Sequence, residues 1–291
     1  MMKVLGFGEV LWDEIERKRY IGGASFNFMT HCKKLGADSY LFSAVGNDVI
    51  GRKTLDIITE KKMKTDFVKM VPKPTCVVKV LLNKNGLPRY TFPEIVSWDY
   101  IEIDESDITR INKLNFDYFY FGTIAQRNSI SFETLKTIFN ECKFKNIFFD
   151  INLRYPYYSK GKIEYALKKC TILKISSEET EKVNKLFKFN AKKYEKFANI
   201  VSKEFDIEII CITAGENGAY ILNKKDFIYC PGHKIVVKDT VGSGDAFSAA
   251  FITKLYKGVS IRDSCDFANK IGAIVASLDG AIPDYNIKDY F

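Results

Sequence analysis

A chain of 291 residues that is 46% apolar and 14% aromatic can bury a large core, which excludes a disordered protein and fits one α/β domain with an appendage. The net charge of +8 comes from lysines scattered along the whole length, and with no basic run longer than Arg17-Lys18-Arg19 a nucleic-acid partner is not expected. Seven cysteines without a Cys-x-x-Cys pair, only two histidines (His31 and His233), and no apolar stretch near the roughly 20 residues of a membrane span argue against a disulfide framework, a histidine-rich metal site and a bilayer crossing, so a cytoplasmic protein with reduced thiols is expected.

From the N-terminus, a β-rich run over Lys3 to Phe7 precedes a helix over about Ala24 to Leu35. A second β-rich run, Tyr40 to Val45, precedes a helix over about Asp48 to Lys62. Further strands are predicted at Tyr118 to Phe121, Ile147 to Asp150, Ile172 to Ile175 and Ile207 to Thr213, each followed by a crossover helix. Such alternation implies a mostly parallel sheet with helices on both faces. One stretch breaks it: Val77 to Leu82, the turn Asn83-Lys84-Asn85-Gly86 and Leu87 to Phe92 predict a hairpin, read as a protruding β-flap.

The segment with most chemical content is Asp239-Thr-Val-Gly-Ser-Gly-Asp245, followed by a strongly helical run. Glycines opening a helix bring unpaired N–H groups and the positive end of the helix dipole to one point, which suits an anion such as a transferring phosphate. An aspartate at that point would repel the anion, so Asp245 suggests a reacting hydroxyl whose proton it accepts; taken alone, it reads equally well as a helix cap. Gly22-Gly23-Ala24-Ser25-Phe26-Asn27 places two glycines before another helix with an amide one turn inside it. With Asp13 at the end of the first β-rich segment, this set suits a ligand bearing vicinal hydroxyls, although Asn27 also reads as a helix-surface residue. Asp150-Ile-Asn152-Leu-Arg154 follows an apolar strand, at the sheet edge where α/β proteins bind ligands, and Arg154 suits either a substrate oxygen or a surface salt bridge. The Walker pattern is absent and Gly6-Phe-Gly8 lacks the third glycine of the dinucleotide fingerprint, so neither P-loop nor nicotinamide chemistry is encoded. Thr213-Ala-Gly215-Glu-Asn-Gly218 is a weak nucleotide signal by itself, since such a pair of glycines more often marks a tight turn.

Taken together and in this order, these segments resemble the ribokinase, or PfkB, family of carbohydrate kinases over essentially the whole chain. Gly22 to Asn27, continuing through Leu35-Gly36 to Val45-Gly46-Asn47-Asp48 and Gly51, resembles the family's N-terminal signature, and Asp239 to Asp245 its C-terminal one. Gly6 to Asp13 and Phe149 to Arg154 look most like bacterial fructokinases. The resemblance implies a ribokinase-like three-layer α/β/α fold spanning 1–291 as a single domain, with a mostly parallel central sheet and a β-strand lid from about 14–21 and 75–97.

The resemblance also implies roles. Asp245 would be the catalytic base, and the backbone of Gly242, Ser243 and Gly244 the anion hole. Asp13, Gly22, Gly23, Asn27 and Arg154 would bind sugar, and Thr213, Gly215, Gly218 and Asn269 would line the ATP cleft. Glu179 would act indirectly on Mg²⁺, and Asp239 with Val241 and the backbone near Gly280 would match the site where many members hold K⁺. One departure stands out: members commonly carry Asn-x-x-Glu near the metal, where this chain reads Ser176-Ser-Glu-Glu179. The implied reaction is transfer of the γ-phosphate of ATP to a primary hydroxyl, D-fructose to fructose 6-phosphate first, with ribose, adenosine, 2-keto-3-deoxygluconate and phosphorylated fructose as alternatives. A weakly active sugar or nucleotide sensor is the reading from another class, and the lid edge offers a route to a homodimer.

Overall fold

The computed structural model describes residues 1–82, 88–224 and 226–286. The chain opens with β1 (Lys3–Phe7), β2 (Leu11–Ile15), β3 (Lys18–Gly22), α1 (Ala24–Lys34), β4 (Asp38–Gly46), α2 (Val49–Glu60) and β5 (Lys64–Val71). There follow β6 (Val77–Leu82), β7 (Pro88–Thr91), α3 (Glu105–Leu114), β8 (Tyr118–Gly122), α4 (Ser129–Glu141), β9 (Asn146–Asp150), α5 (Lys160–Leu167) and β10 (Ile172–Ser176). The last part carries α6 (Ser177–Phe187), α7 (Tyr194–Phe205), β11 (Ile209–Thr213), β12 (Ala219–Asn223), β13 (Asp226–Cys230), α8 (Ser243–Tyr256) and α9 (Ile261–Ala276). Among the described residues nine strands form one sheet in the order β13-β12-β11-β10-β9-β8-β1-β4-β5. Its pairs from β11 through β5 are parallel, and β12 and β13 are antiparallel.

Alternation along the strands builds two cores, one on each sheet face. Leu5 and Phe7, Tyr40 and Phe42, and Phe119 and Phe121 face one core with α3 to α7. Val4, Leu41, Tyr118 and Tyr120 face the other with α1, α8 and α9. Strand β8, Tyr-Phe-Tyr-Phe-Gly, is buried along its whole length, as a central parallel strand covered by helices on both sides must be.

A second sheet of four strands, in the order β3-β2-β6-β7, stands apart from the first and forms the lid. Strand β2 runs antiparallel to β3 and parallel to β6, and β6 pairs antiparallel with β7, so the expected hairpin is present. Its turn at Asn83 to Gly86, with Leu87, lies outside the described residues.

Two expectations need correction. Asp13 does not end the first β-rich segment: Gly8, at φ 143°, breaks the chain after β1, and Asp13 sits inside lid strand β2. Nor does a crossover helix follow the strand ending at Thr213. Gly215 to Asn217 form a short 3-10 turn, and the chain doubles back as the β12–β13 hairpin. Gly218 makes this reversal feasible, because at φ 83° a Cβ there would lie 2.1 Å from the Cys230 carbonyl oxygen.

The motif Gly46-Asn47-Asp48 to Gly51 fastens the root of the lid. Asp48 caps α2 by accepting from the Gly51 N–H at 2.7 Å, and its carboxylate also accepts from the Thr75 N–H and hydroxyl, both at 2.8 Å. The Thr75 hydroxyl oxygen accepts from the Gly46 N–H at 2.9 Å, just before β6 departs. A Cβ on Gly51 would lie 2.0 Å from the Gly46 carbonyl oxygen, so this knot requires glycine there.

Candidate active site

Parallel strands that end together leave a crevice at their carboxyl edge, deepest where the strand order changes direction. Here β1 lies between β4 and β8, and Asp150, Ser176 and Thr213 end β9, β10 and β11 on that edge.

Helix α8 begins at Gly242, whose φ is 77° and whose Cβ would lie 2.2 Å from the Ala281 carbonyl oxygen, so only glycine fits. No side chain caps this helix, which leaves its first turn and dipole open to an anion. Ser243 is partly committed elsewhere: its N–H donates to the Thr240 carbonyl at 3.3 Å and its hydroxyl to the Gly272 carbonyl at 3.0 Å. Asp245 is not the cap. Its carboxylate is buried and accepts a hydrogen bond from Asn27 Nδ2 at 2.9 Å. Burial, aided by the negative charge of Asp150 and then Glu9, pushes its carboxyl up to about 7, against the pull of Lys174 and the Asn27 hydrogen bond.

Asp13, Gly22 and Asn27 converge beside it. A Cβ on Gly22 would lie 3.3 Å from Asp13 Oδ2 and 3.9 Å from Asn27 Oδ1, so the missing side chain keeps open a space between two acceptors. Asn27 Oδ1 is buried and has no hydrogen-bond partner among the described residues, an arrangement that asks for a donor such as a hydroxyl. Burial pushes Asp13 up to about 6, with the Arg154 charge opposing it. Gly23, at φ 104°, is the N-cap of α1, where a Cβ would strike the Glu9 carbonyl oxygen at 2.7 Å. Arg154 is exposed, and among the described residues its side chain makes no hydrogen bond or ion pair.

Glu179 is tied to backbone. One oxygen accepts from the Leu153 N–H at 2.7 Å and the other from the Ser176 N–H at 2.9 Å, while the Ser176 hydroxyl oxygen accepts from the Glu179 N–H at 3.3 Å. This capping box gives the departure at Ser176 a physical account: serine caps α6, and Glu179 pins the loop that carries Arg154. Asp239 braces two loops, accepting from the Val241 N–H at 3.0 Å and the Gly280 N–H at 3.2 Å.

At the ends of β10 and β11, Thr213 stands in register with Ser176. Gly215 has open space around its Cα, whereas Gly218 packs against the 230–232 loop. Asn269 supports the same loop, its Nδ2 donating to the carbonyls of Cys230 and Pro231 at 3.2 and 3.1 Å. No group of three His, Cys, Asp or Glu side chains suited to a metal gathers among the described residues.

Two buried charged residues of this site received no role from sequence. Glu9 accepts from the Ala24 N–H at 2.8 Å and so sets the start of α1. Lys174 contacts both oxygens of Asp150, at 3.1 and 3.0 Å. The available signal was a lone charge inside an otherwise apolar run.

Comparison with known proteins gives a match to the model described as pfkB family carbohydrate kinase over residues 3–288. The chain is 27% identical over 301 residues to an ATP-dependent 6-phosphofructokinase of Thermoanaerobacterium thermosaccharolyticum, covering 97% of this chain and 90% of that one. It is 26% identical over 316 residues to the probable fructokinase-6, chloroplastic, of Arabidopsis thaliana, covering 98% and 80%. In fold it is similar to the fructokinase with bound ATP from Xylella fastidiosa, with a TM-score of 0.84 at 18% identity, covering 96% and 94%.

Proposed function

This chain belongs to the pfkB family of carbohydrate kinases, and on that footing we propose that it transfers the γ-phosphate of ATP to a primary hydroxyl of D-fructose. The observation that carries the reading is the buried Asn27–Asp245 contact, in which Asn27 Nδ2 donates to Asp245 while Oδ1 of the same amide has no hydrogen-bond partner among the described residues and faces the space beside Asp13. Asp13 and Asn27 grip sugar hydroxyls over Gly22 and Gly23, and Asp245 accepts the proton of the attacking hydroxyl. As the new O–P bond forms, the γ-phosphorus separates from the bridging oxygen of ADP, and the amides of Gly242, Ser243 and Gly244 stabilise the charge on the moving phosphoryl group. The lid closes over the sugar and excludes water.

ATP lies along Thr213, Gly215, Gly218 and Asn269, and the open space at Gly215 fits a ligand passing close to the backbone. Mg²⁺ would be held chiefly by phosphate and water rather than by a dedicated protein cage. Glu179 would act on it through water. When bound, the ion would neutralise phosphate charge. Asp239, Val241 and the Gly280 backbone would hold K⁺.

Phosphorylated fructose is a second reading, favoured by the uncommitted Arg154 and by the 6-phosphofructokinase among the relatives. A panel of D-fructose, fructose 6-phosphate, ribose, adenosine and 2-keto-3-deoxygluconate, assayed for ADP release with MgATP and K⁺, decides the matter. The highest kcat/KM is expected with fructose. A higher value with fructose 6-phosphate would replace it, and no turnover with any of them would favour the sensor. A homodimer through the lid edges is proposed as well, and a monomeric mass by sedimentation would remove it.

A further inference from the structure

Lysine is an odd choice for the middle of β10, whose neighbours Ile172, Leu173 and Ile175 are all buried. Its side chain is 10% exposed and that of its partner Asp150 is 1% exposed, and the two residues lie directly across the β9–β10 ladder. A buried ion pair is an uncertain source of stability, because desolvation of both charges offsets their attraction. Its position indicates another use. A Cβ on Gly244 would lie 3.1 Å from Lys174 Nζ, so the ammonium stands immediately behind the residue that precedes Asp245.

Among the described residues four charged or titratable groups act on Asp245, namely Glu9 after β1, Tyr120 of β8, Asp150 of β9 and Lys174 of β10, and the neutral amide of Asn27 from α1 donates to it. Lys174 is the one cation among them. Its ammonium is faced by Asp150, Glu179 and Asp245 and lies near the Cys211 thiol, and Asp150 in turn feels Glu179 and Arg154.

We infer that Lys174 is a positioning residue for the transfer, supplying the positive charge that keeps the Asp245 carboxylate ionised among its buried carboxylate neighbours. Asp150 holds that ammonium in place. This inference rests on Asp245 being the base. It is consistent with the balance of charges on Asp245, where burial and Asp150 act one way and Lys174 the other.

The test is the pH dependence of kcat/KM for the best sugar of the panel, at saturating MgATP, in the wild type and in K174M, K174R, D150N and the K174M/D150N double variant, with folding checked by thermal melts. In K174M the acidic limb should move up by about 1 to 2 pH units, with activity recovering on the alkaline side. It should move down in D150N and stay near the wild-type position in K174R. If K174M does not fold because Asp150 is left unpaired, the double variant is compared with D150N, and its limb should lie higher. A folded K174M whose limb is unmoved and whose plateau alone falls, or a double variant whose limb coincides with that of D150N, would overturn the inference. D245N separates the two levels of the argument. If D245N is inactive at every pH and the K174M limb is still unmoved, only the role of Lys174 fails, whereas an active D245N removes the base assignment itself.

Discussion

Asn27 and Asp245 are 218 residues apart in the chain, and Asn27 Nδ2 stands 2.9 Å from Asp245 Oδ2. That bond joins the first turn of α1, behind Gly22-Gly23, to the first turn of α8, behind Gly242. A capping aspartate would have turned back onto its own backbone; this one reaches across the crevice to another element. The carboxylate is thereby oriented by a neutral donor, which fixes its geometry without fully suppressing its basicity.

Replacing Asp245 with asparagine should lower turnover by on the order of 10²- to 10⁴-fold, while ATP affinity stays similar, as loss of a general base requires. The same substitution should stabilise the fold. Asp245 has its carboxyl raised from 3.8 to about 7, so between those values the folded chain holds a proton that the unfolded chain releases. Its contribution therefore falls as pH rises through that window and remains unfavourable above it, by at most about 4 kcal/mol. A thermal melt at pH 8 should show a higher Tm for D245N than for the wild type. An unchanged or lower Tm would mean that the buried charge is better compensated than its surroundings suggest. In the wild type, kcat/KM should rise with pH through a limb near 7.

Removing the amide of Asn27 should cost both the orientation of the base and the acceptor left open for a hydroxyl. For N27A a fall in kcat/KM of about 10- to 100-fold is expected, the range of one lost hydrogen bond to a charged group. The Michaelis constant for the sugar should rise while that for ATP is little changed. An N27A enzyme affected only in its ATP constant would place Asn27 outside the sugar site.

Much of this site is legible in the sequence because its glycines sit where backbone conformation demands them. Gly23 and Gly242 both adopt left-handed φ at helix starts, and such positions announce themselves as Gly-Gly and Gly-Ser-Gly before helical runs. The strand and helix alternation is equally plain from α1 through α2 and from β8 through β10. What escapes is pairing at a distance. The lone charge in Ile-Leu-Lys-Ile hints that Lys174 is buried, but nothing in it names the partner until the β9–β10 register sets it beside Asp150. Likewise Asp13 reads as the end of a first strand until the lid sheet claims it, because Gly8 breaks the run in a way that hydrophobic pattern alone does not register. The β12–β13 hairpin is missed for a related reason: alternating apolar residues after a strand fit a crossover as well as a reversal, and the φ of Gly218 decides.

Ser176 offers a test of whether the departure from the family pattern matters. Asparagine and serine are comparable helix caps, so S176N should alter stability by only a few tenths of a kcal/mol, whereas S176A, which cannot accept from the Glu179 N–H, should cost about 1 kcal/mol. Urea unfolding of the three proteins measures both effects. Turnover of S176N should stay close to that of the wild type, and a gain of about tenfold or more would identify the serine as a catalytic weakness beyond its capping role.

His31 should make the protein acid-sensitive in a defined window. It is fully buried on α1, where its Nε2 lies 3.0 Å from the Ala281 carbonyl oxygen and its Nδ1 3.0 Å from the Tyr285 hydroxyl. The carbonyl can only accept, so Nε2 carries the proton and Nδ1 accepts from Tyr285, which is the neutral ring. Burial, with a smaller contribution from Lys34, lowers it from 6.5 to about 4 despite the favourable carbonyl contact. Between those values the unfolded chain binds a proton that the folded chain refuses, so stability is lost as pH falls through the window, by roughly 3 kcal/mol in all. The loss would be felt at the active site, because Ala281 backs Gly242 at the start of α8 and Gly280 donates to Asp239. Asp245 titrates with the opposite sign over an overlapping range, so the wild-type curve alone does not isolate His31. Urea unfolding of wild type and H31Q at pH 7 and pH 4.5 does: the glutamine keeps a donor for Ala281 but has no proton to gain, and the stability lost between the two pH values should be smaller in H31Q. Equal losses in the two proteins would show that His31 is already protonated in the folded state at pH 4.5, with Tyr285 turned to accept.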